Sequence, residues 1–311
     1  MSEIKNKLML ASLCISVWTG RRFDDRATEV VEKNYQTKKV GRFNKDLLPQ
    51  KPVSFLAVRS LASQLRALFQ TYTLDYQQLG VRLLTTDVYE EWTVKLRQHI
   101  FQFDNAVSTF LSEYPQLKED AKTFLQREGG SLFLENDYLT VDQLKTKFGV
   151  KFSVLPFPDA EHFGVALPEA DLSIIKQDLN ENVEKAVTAA TLDLQKRLFE
   201  AIYAMAQGAA RDGRFYESTI TNLKEIIHLM PKLNFAQDTR LNEIANLASK
   251  QLTVFDATAI RSSPSVRSDV AGKAEAIALT LADYMGLDQN IDFDAPIPAS
   301  KPMGLLTNEL F

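Results

Sequence analysis

Apolar residues recur at Ile100, Phe103, Val107, Phe110, Tyr114, Leu117, Ala121 and Phe124, separated by gaps of three and four that alternate without a break. That spacing lays one stripe along one side of a helix, and it is also the spacing of a coiled-coil seam. Tyr89, Trp92 and Leu96 begin the stripe upstream. Thr86 or Asp87 can cap, and Glu90 and Glu91 put negative charge where the helix dipole favours it. Gly129-Gly130 closes the pattern. A helix from Thr86 to Gly130 is therefore predicted. Pro115 should kink it or split it near Tyr114, because proline loses a donor and crowds the preceding turn.

A second long pattern starts at Pro168, a good first-turn residue, and ends near Arg211. Leu172, Ile175, Leu179, Val183, Ala186, Ala190, Leu194, Leu198, Ile202 and Met205 share one side of it. Each segment would be roughly 60 Å long at about 1.5 Å per residue. Two long helices of matched length predict an antiparallel hairpin. The alanines of the second one (Ala186, Ala189, Ala190, Ala201, Ala204, Ala206) favour close contact and self-association.

Shorter patterns fill the rest. Leu8–Trp18 alternates like a buried strand, with Cys14 as a small buried hydrophobe on it. A short helix is expected over Asp24–Lys33, and a longer one over about Ser54–Tyr76. Val150, Phe152 and Val154 alternate as a strand after a small helix, Val141–Lys147, capped by Thr140. Helices are also expected over Phe215–Met230, Ala236–Val254 and Val270–Met285. The last segment, Asp288–Phe311, holds three prolines and no periodicity, and reads as a flexible tail. The resulting division is 1–50, N-terminal strand and basic loop; 51–130, first half of the helical arm; 131–167, an inserted small α+β module; 168–287, second half of the arm and C-terminal helices; and 288–311, the tail. The fold class is mainly α: a long antiparallel helical hairpin or bundle with a small N-terminal β element and an inserted α+β module.

Bulk composition narrows the class. Hydrophobic content of 45% with 24% charged residues is that of a globular protein, and the net charge of −4 argues against a general nucleic-acid coat. One cysteine excludes an internal disulfide and fits a reducing compartment. Lys5 and Lys7 before the apolar run imitate a signal peptide, but no small-x-small cleavage site follows. A cytoplasmic protein is expected, the host-cell cytoplasm if it is phage-encoded, with no membrane partner.

Catalytic signatures are missing from the sequence. It has no phosphate-binding glycine loop, no G-x-S-x-G and no H-E-x-x-H. His99, His162 and His228 fall on separate elements. Asp288, Asn290, Asp292 and Asp294 begin like a calcium loop, but Phe293 stands where glycine is needed and Ala299 where glutamate is needed. The pairs Asp24-Asp25, Glu90-Glu91 and Glu119-Asp120 read as solvated helix surface. No enzyme, metal or cofactor is expected.

The clearest candidate for a contact is the basic stretch Lys33, Lys38, Lys39, Arg42 and Lys45, which holds no acid and has Tyr35 and Phe43 interleaved. Cations with aromatics can hold phosphates and stack bases, or meet an acidic protein surface.

Ser16-Val17-Trp18-Thr19-Gly20-Arg21-Arg22, Lys45-Asp46-Leu47-Leu48, Gly80-Val81-Arg82-Leu83-Leu84, and the run holding Tyr89, Trp92, Phe103, Phe110-Leu111 and Tyr114 carry a resemblance. They resemble a domain-of-unknown-function family of phage- and plasmid-borne proteins, over roughly residues 8–285. Members are often encoded near MoxR-like AAA+ ATPases. The resemblance implies a mobile-element origin and an AAA+ ATPase as partner, and carries no catalytic residue. The expected function is a non-enzymatic interaction or assembly protein. The alternative is a nucleic-acid-binding accessory protein that uses the basic segment, with weak affinity.

Overall fold

Thr86–Glu128 is a single helix of 43 residues, here α3, and it runs through Pro115 without a break. This computed structural model describes residues 6–76, 80–128, 132–159, 168–211, 215–287, 291 and 293. The expected split at Tyr114 does not occur. Pro115 is exposed while Tyr114 is buried, so the carbonyl of Leu111 that loses its donor can be served by water. Phe103, Val107, Phe110, Tyr114 and Ala121 are buried as the stripe requires. At its two ends the stripe is shifted. Val88 is buried and Tyr89 is not, and Leu125 is more buried than Phe124. A repeat of 3.5 drifts against a helix of 3.6 residues per turn, so an apolar row over this length cannot hold one azimuth.

Among the described residues there are nine helices and six strands, so the chain is mainly α. The strands are β1 (Leu8–Ser16), β2 (Arg21–Phe23), β3 (Asn44–Asp46), β4 (Leu74–Asp75), β5 (Val81–Thr85) and β6 (Gly149–Pro156). The other helices are α1 (Asp25–Asn34), α2 (Val53–Tyr72), α4 (Val141–Lys145), α5 (Glu169–Ala210), α6 (Glu217–Leu233), α7 (Thr239–Leu252), α8 (Ala257–Ser262) and α9 (Pro264–Tyr284). They form two compact units, and neither is continuous in sequence. The bundle unit takes Met1–Ser12, Gln70–Trp92 and Ser153–Phe311, and the aromatic unit takes Leu13–Phe69 and Thr93–Phe152. The expected segments were contiguous runs; the boundary instead falls inside β1, α2, α3 and β6.

In the bundle unit, α5 lies against α9 and α6, α9 also against α7 and α8, and α6 against α7. The side of α5 assigned to α3 by the hairpin expectation is thus covered by α9 and α6. Its small residues explain the fit. Ala186, Ala190, Ala201, Ala206 and Ala209 of α5 are buried, as are Ala271, Ala274, Ala278 and Ala282 of α9, and paired small side chains let helix backbones approach closely. The alanine face is therefore occupied within the unit and is not open for self-association. The sheet has the order β4-β5-β1-β6, with β1 and β5 antiparallel from Leu8 opposite Thr85 to Ser12 opposite Val81. The strand expected inside the inserted module, β6, is a member of this sheet.

Two ion clusters join elements of this unit. Arg197 is paired with Asp193 at 2.7 Å and donates to the carbonyls of Thr71 and Thr73 at 3.3 and 2.8 Å. Those carbonyls lie at the C-terminal end of α2, where a cation is favoured. Glu91 accepts from Tyr72 Oη at 2.7 Å and Lys232 Nζ at 2.5 Å, with His228 Nε2 at 3.2 Å.

The aromatic unit has a different core. Trp18 lies 5.7 Å from Phe55, 6.2 Å from Phe110 and 5.9 Å from Tyr114, ring centre to ring centre. Phe110 also meets Phe55 at 5.1 Å and Phe148 at 5.8 Å. Large flat side chains at these distances give area and a preferred geometry together. Gly20 adopts φ +71°, and a Cβ there would stand 3.3 Å from the Phe55 ring. Both facts favour glycine. Cys14 is exposed, contrary to the expected buried hydrophobe. It shares the open side of β1 with Ser16, while Leu13 and Ile15 take the half-buried side.

The end expected at Gly129-Gly130, His162, the calcium-like ligands Asp288, Asn290, Asp292 and Asp294, and nearly all of the tail at 288–311 lie outside the described residues, whereas α5 ends at Ala210, as expected near Arg211. Of the tail, Phe293 stacks on Tyr203 at 5.1 Å, and its carbonyl accepts from Gln207 Nε2 at 3.0 Å.

Candidate interaction site

The basic stretch is carried by α1, the loop after it, and β3, all within the aromatic unit. Asp24 caps α1, accepting from the Ala27 N–H at 3.0 Å, and its own N–H donates to the Phe43 carbonyl at 3.0 Å. Thr28 Oγ1 then accepts from the Phe43 N–H at 3.0 Å. These bonds pin the first turn of α1 to the segment that enters β3. β3 pairs with β2 in antiparallel register, Arg22 opposite Lys45.

The register separates Lys45 from the other cations. Its side chain is 3% exposed, and its ammonium donates two hydrogen bonds and is ion-paired with a second carboxylate. Nζ lies 2.7 Å from Asp24 Oδ2, 2.6 Å from Asp137 Oδ2 and 2.8 Å from the Leu132 carbonyl. Arg22 Nε stands 3.6 Å from Asp137, adding a second cation beside the two carboxylates. The hydrogen bond from Lys45 holds the Asp24 carboxyl below the ordinary carboxylate range, and the Ala27 N–H adds to this against a smaller opposing effect of burial. Tyr138 Oη donates to the Leu47 carbonyl at 2.8 Å beside this triad, and burial pushes its phenol up. The triad is a structural tie between β3, the α1 cap and the segment before α4. With its side chain 3% exposed and held between two carboxylates, Lys45 is withdrawn from the candidate contact residues. One signal in the sequence pointed inward: Lys45 is two residues before Leu47, which is buried, and alternate strand residues share a side.

The remaining residues stay at the surface. Lys33, Lys38 and Lys39 are exposed. Arg42 is exposed too, with its guanidinium 4.3 Å over the Phe23 ring, a cation–π contact that fixes its direction. Tyr35 is 75% exposed and Val40 79%, and Val30, Val31 and Phe43 are exposed beside them. Val31, Tyr35, Val40, Arg42 and Phe43 together line a groove of about 410 Å³. Glu32 also lines it, and its carboxylate is engaged by the Lys39 N–H at 2.6 Å. Sequence reasoning had named Tyr35 and Phe43 but not the valines, which look ordinary until α1 and the loop are folded together.

Chemically, the arrangement offers a place for an apolar side chain with the Arg42 guanidinium in its lining. Among the described residues, no three His, Cys, Asp or Glu side chains are grouped so that they could hold a metal ion. Nor is any helix among them long and apolar enough to cross a membrane. Compared with protein-family models, curated proteins and solved structures, the chain matches none of them.

Proposed function

We propose that the protein is a non-enzymatic interaction or assembly protein that docks an acidic protein partner on the α1 groove. The observation that carries this reading is the exposure of Tyr35 and Val40 together, over a groove lined by Arg42, with exposed Lys33, Lys38 and Lys39 carried on the same helix and loop. A soluble surface keeps large apolar side chains scattered, and clustering them marks a contact. Tyrosine and arginine are the side chains that dominate binding energy at such contacts. The partner chemistry follows: a segment that inserts one apolar side chain and presents carboxylates around it. The resemblance to the phage- and plasmid-borne family makes a MoxR-like AAA+ ATPase encoded beside the protein the first partner to test, and a cytoplasmic site of action suits a chain whose single cysteine is an exposed free thiol.

The experiment is biolayer interferometry between the purified full chain and that ATPase. Tyr35→Ala should weaken binding by about thirtyfold, the effect of a hot-spot side chain worth about 2 kcal/mol. Lys38→Glu with Lys39→Glu should weaken it further and slow association. An ATPase that does not bind, or that binds Tyr35→Ala as tightly as the wild type, sinks this assignment.

A further inference from the structure

On the aromatic unit a second cavity, of about 770 Å³, lies between the β1–β2 turn, the segment after β3 and one side of α2. The basic stretch of the sequence, Lys33–Lys45, contributes nothing to it. Its cations come from three separate places: Arg21 from the turn, Lys51 from the segment after β3, and Arg59 and Arg66 from α2. The one carboxylate in the lining, Asp46, is already engaged by Arg21, with Nε to Oδ1 at 2.9 Å. Among the described residues, Lys51, Arg59 and Arg66 have no ion pair and no hydrogen bond.

The way α2 presents these groups is informative. Arg59, Ser63 and Arg66 sit at i, i+4 and i+7, which is one helix side, with Ser60 beside them. Seven residues along a helix separate the two guanidinium stems by about 10.5 Å. Cation, hydroxyl and cation in line is the donor set that contacts phosphate and sugar along a strand. One isolated phosphate could not engage two arginines set two turns apart and Lys51 as well; a repeating anion could. The floor of the cavity includes Trp18, Phe55 and Leu48, all buried, so no ring there is offered for base stacking; Leu56 is the one exposed large apolar side chain in the lining.

We propose that this cavity binds the phosphodiester backbone of a nucleic acid without regard to sequence. Three free cations give a log–log salt slope of about −2 for single strands and about −3 for duplex. The chain's net charge of −4 opposes binding at long range, so affinity is weak at physiological salt and measurable at low salt.

The test is fluorescence anisotropy with a labelled twenty-nucleotide oligothymidine and a labelled twenty-base-pair duplex, at about 50 mM and 200 mM salt. Wild-type protein should bind one or both at the lower salt. Arg59→Ala with Arg66→Ala should lose about tenfold or more and flatten the slope by roughly two, about one for each phosphate contact removed. Both side chains are exposed, so the melting temperature should stay where it is. Arg59→Lys with Arg66→Lys should restore most of the binding, because the charge is kept. Lys38→Glu with Lys39→Glu should leave it within about threefold, whereas those changes should weaken docking on the α1 groove, so the two sites fail separately. Any of four results overturns the proposal: no binding at low salt; equal loss in the Arg59/Arg66 and Lys38/Lys39 variants; no loss in the arginine variant; or tighter binding, through the same two arginines, to phosphatidylglycerol vesicles than to either oligonucleotide.

Discussion

Two basic surfaces lie on the same compact unit, and they differ in what surrounds the charge. At the α1 groove, Arg42 lines the space with exposed Tyr35, Val31 and Val40, and exposed Lys33, Lys38 and Lys39 lie on the same helix and loop. In the α2 cavity, Arg59 and Arg66 border serine hydroxyls above buried rings. The first can bury an apolar side chain and gains from it; the second can neutralise a row of phosphates and buries little. A count of lysine and arginine along the chain favours the first as the anion site. The neighbours of each cation reverse that order, because burial of apolar area and neutralisation of phosphate are different sources of binding energy.

The largest effect should come from the cation that belongs to neither surface. Lys45→Ala removes the ammonium between Asp24 and Asp137 and leaves two carboxylates buried without their partner. Breaking a buried pair in this way costs about 3–5 kcal/mol. Urea unfolding should therefore show a much lower midpoint for Lys45→Ala. If the midpoint moves by no more than it does for Lys38→Ala, then Lys45 is a surface cation after all, and the contrast between the two surfaces must be redrawn to include it.

Acid should act on the same triad. The carboxyl of Asp24 has a lower pKa folded than unfolded, chiefly through the Lys45 hydrogen bond. The stability it contributes is then fully present above its unfolded value, about 3.9, and is lost as pH falls through the lower folded value. On account of this group, stability should be level from pH 7 to about 5 and decline below about pH 4. Urea midpoints measured against pH, for wild type and Asp24→Asn, check this: the variant should start lower and lack part of the acid decline. Parallel curves would mean that the ion pair contributes no pH dependence.

Gly20 bears on the cavity itself. It lines the space, adopts φ +71°, and lies against Phe55. Gly20→Ala should cost about 1–2 kcal/mol from the left-handed backbone alone, seen as a lower melting temperature. It should also weaken oligonucleotide binding if the β1–β2 turn moves Arg21 and Asp46. Docking on the α1 groove should be unaffected. Loss of both activities together would show that the two surfaces are not independent.

How much of this was legible in the sequence depends on the range of the interaction. Local patterns located α3, α4 with its Thr140 cap, β6 and α1, because spacing and capping are written within a few residues. Partners were not legible. The stripe on α5 says that one side is covered, and the alanines say that the cover is close, but the choice of α9 over α3 depends on residues far away in the sequence. The α2 cavity was missed for a related reason. Reading α2 by its apolar side set aside the opposite row of Arg59, Ser63 and Arg66, and Arg21 and Lys51 join that row only after folding. The α1 groove was half legible, since Tyr35 and Phe43 stood out among the lysines while Val31 and Val40 did not.

The smallest effect on stability should come from reversing the charge of the α1 surface. Lys38, Lys39 and Arg42 are exposed, and Arg42 has one cation–π contact, to Phe23. Surface substitutions of this kind stay within about 0.5 kcal/mol, and the loss of one exposed cation–π contact adds about 0.5–1 kcal/mol. Lys38→Glu with Lys39→Glu should melt like the wild type, and adding Arg42→Glu should lower the melting temperature by only a few degrees. The functional effect should be large by comparison. Three cations become three anions around the groove, so an acidic partner meets repulsion where it met attraction, and association slows more than dissociation quickens. Raising salt should then narrow the gap between variant and wild type, because screening acts on both signs alike. An oligonucleotide should still bind this variant through the arginines of α2. If it does not, the cations of α1 hold phosphate too, and the two surfaces are one extended anion site.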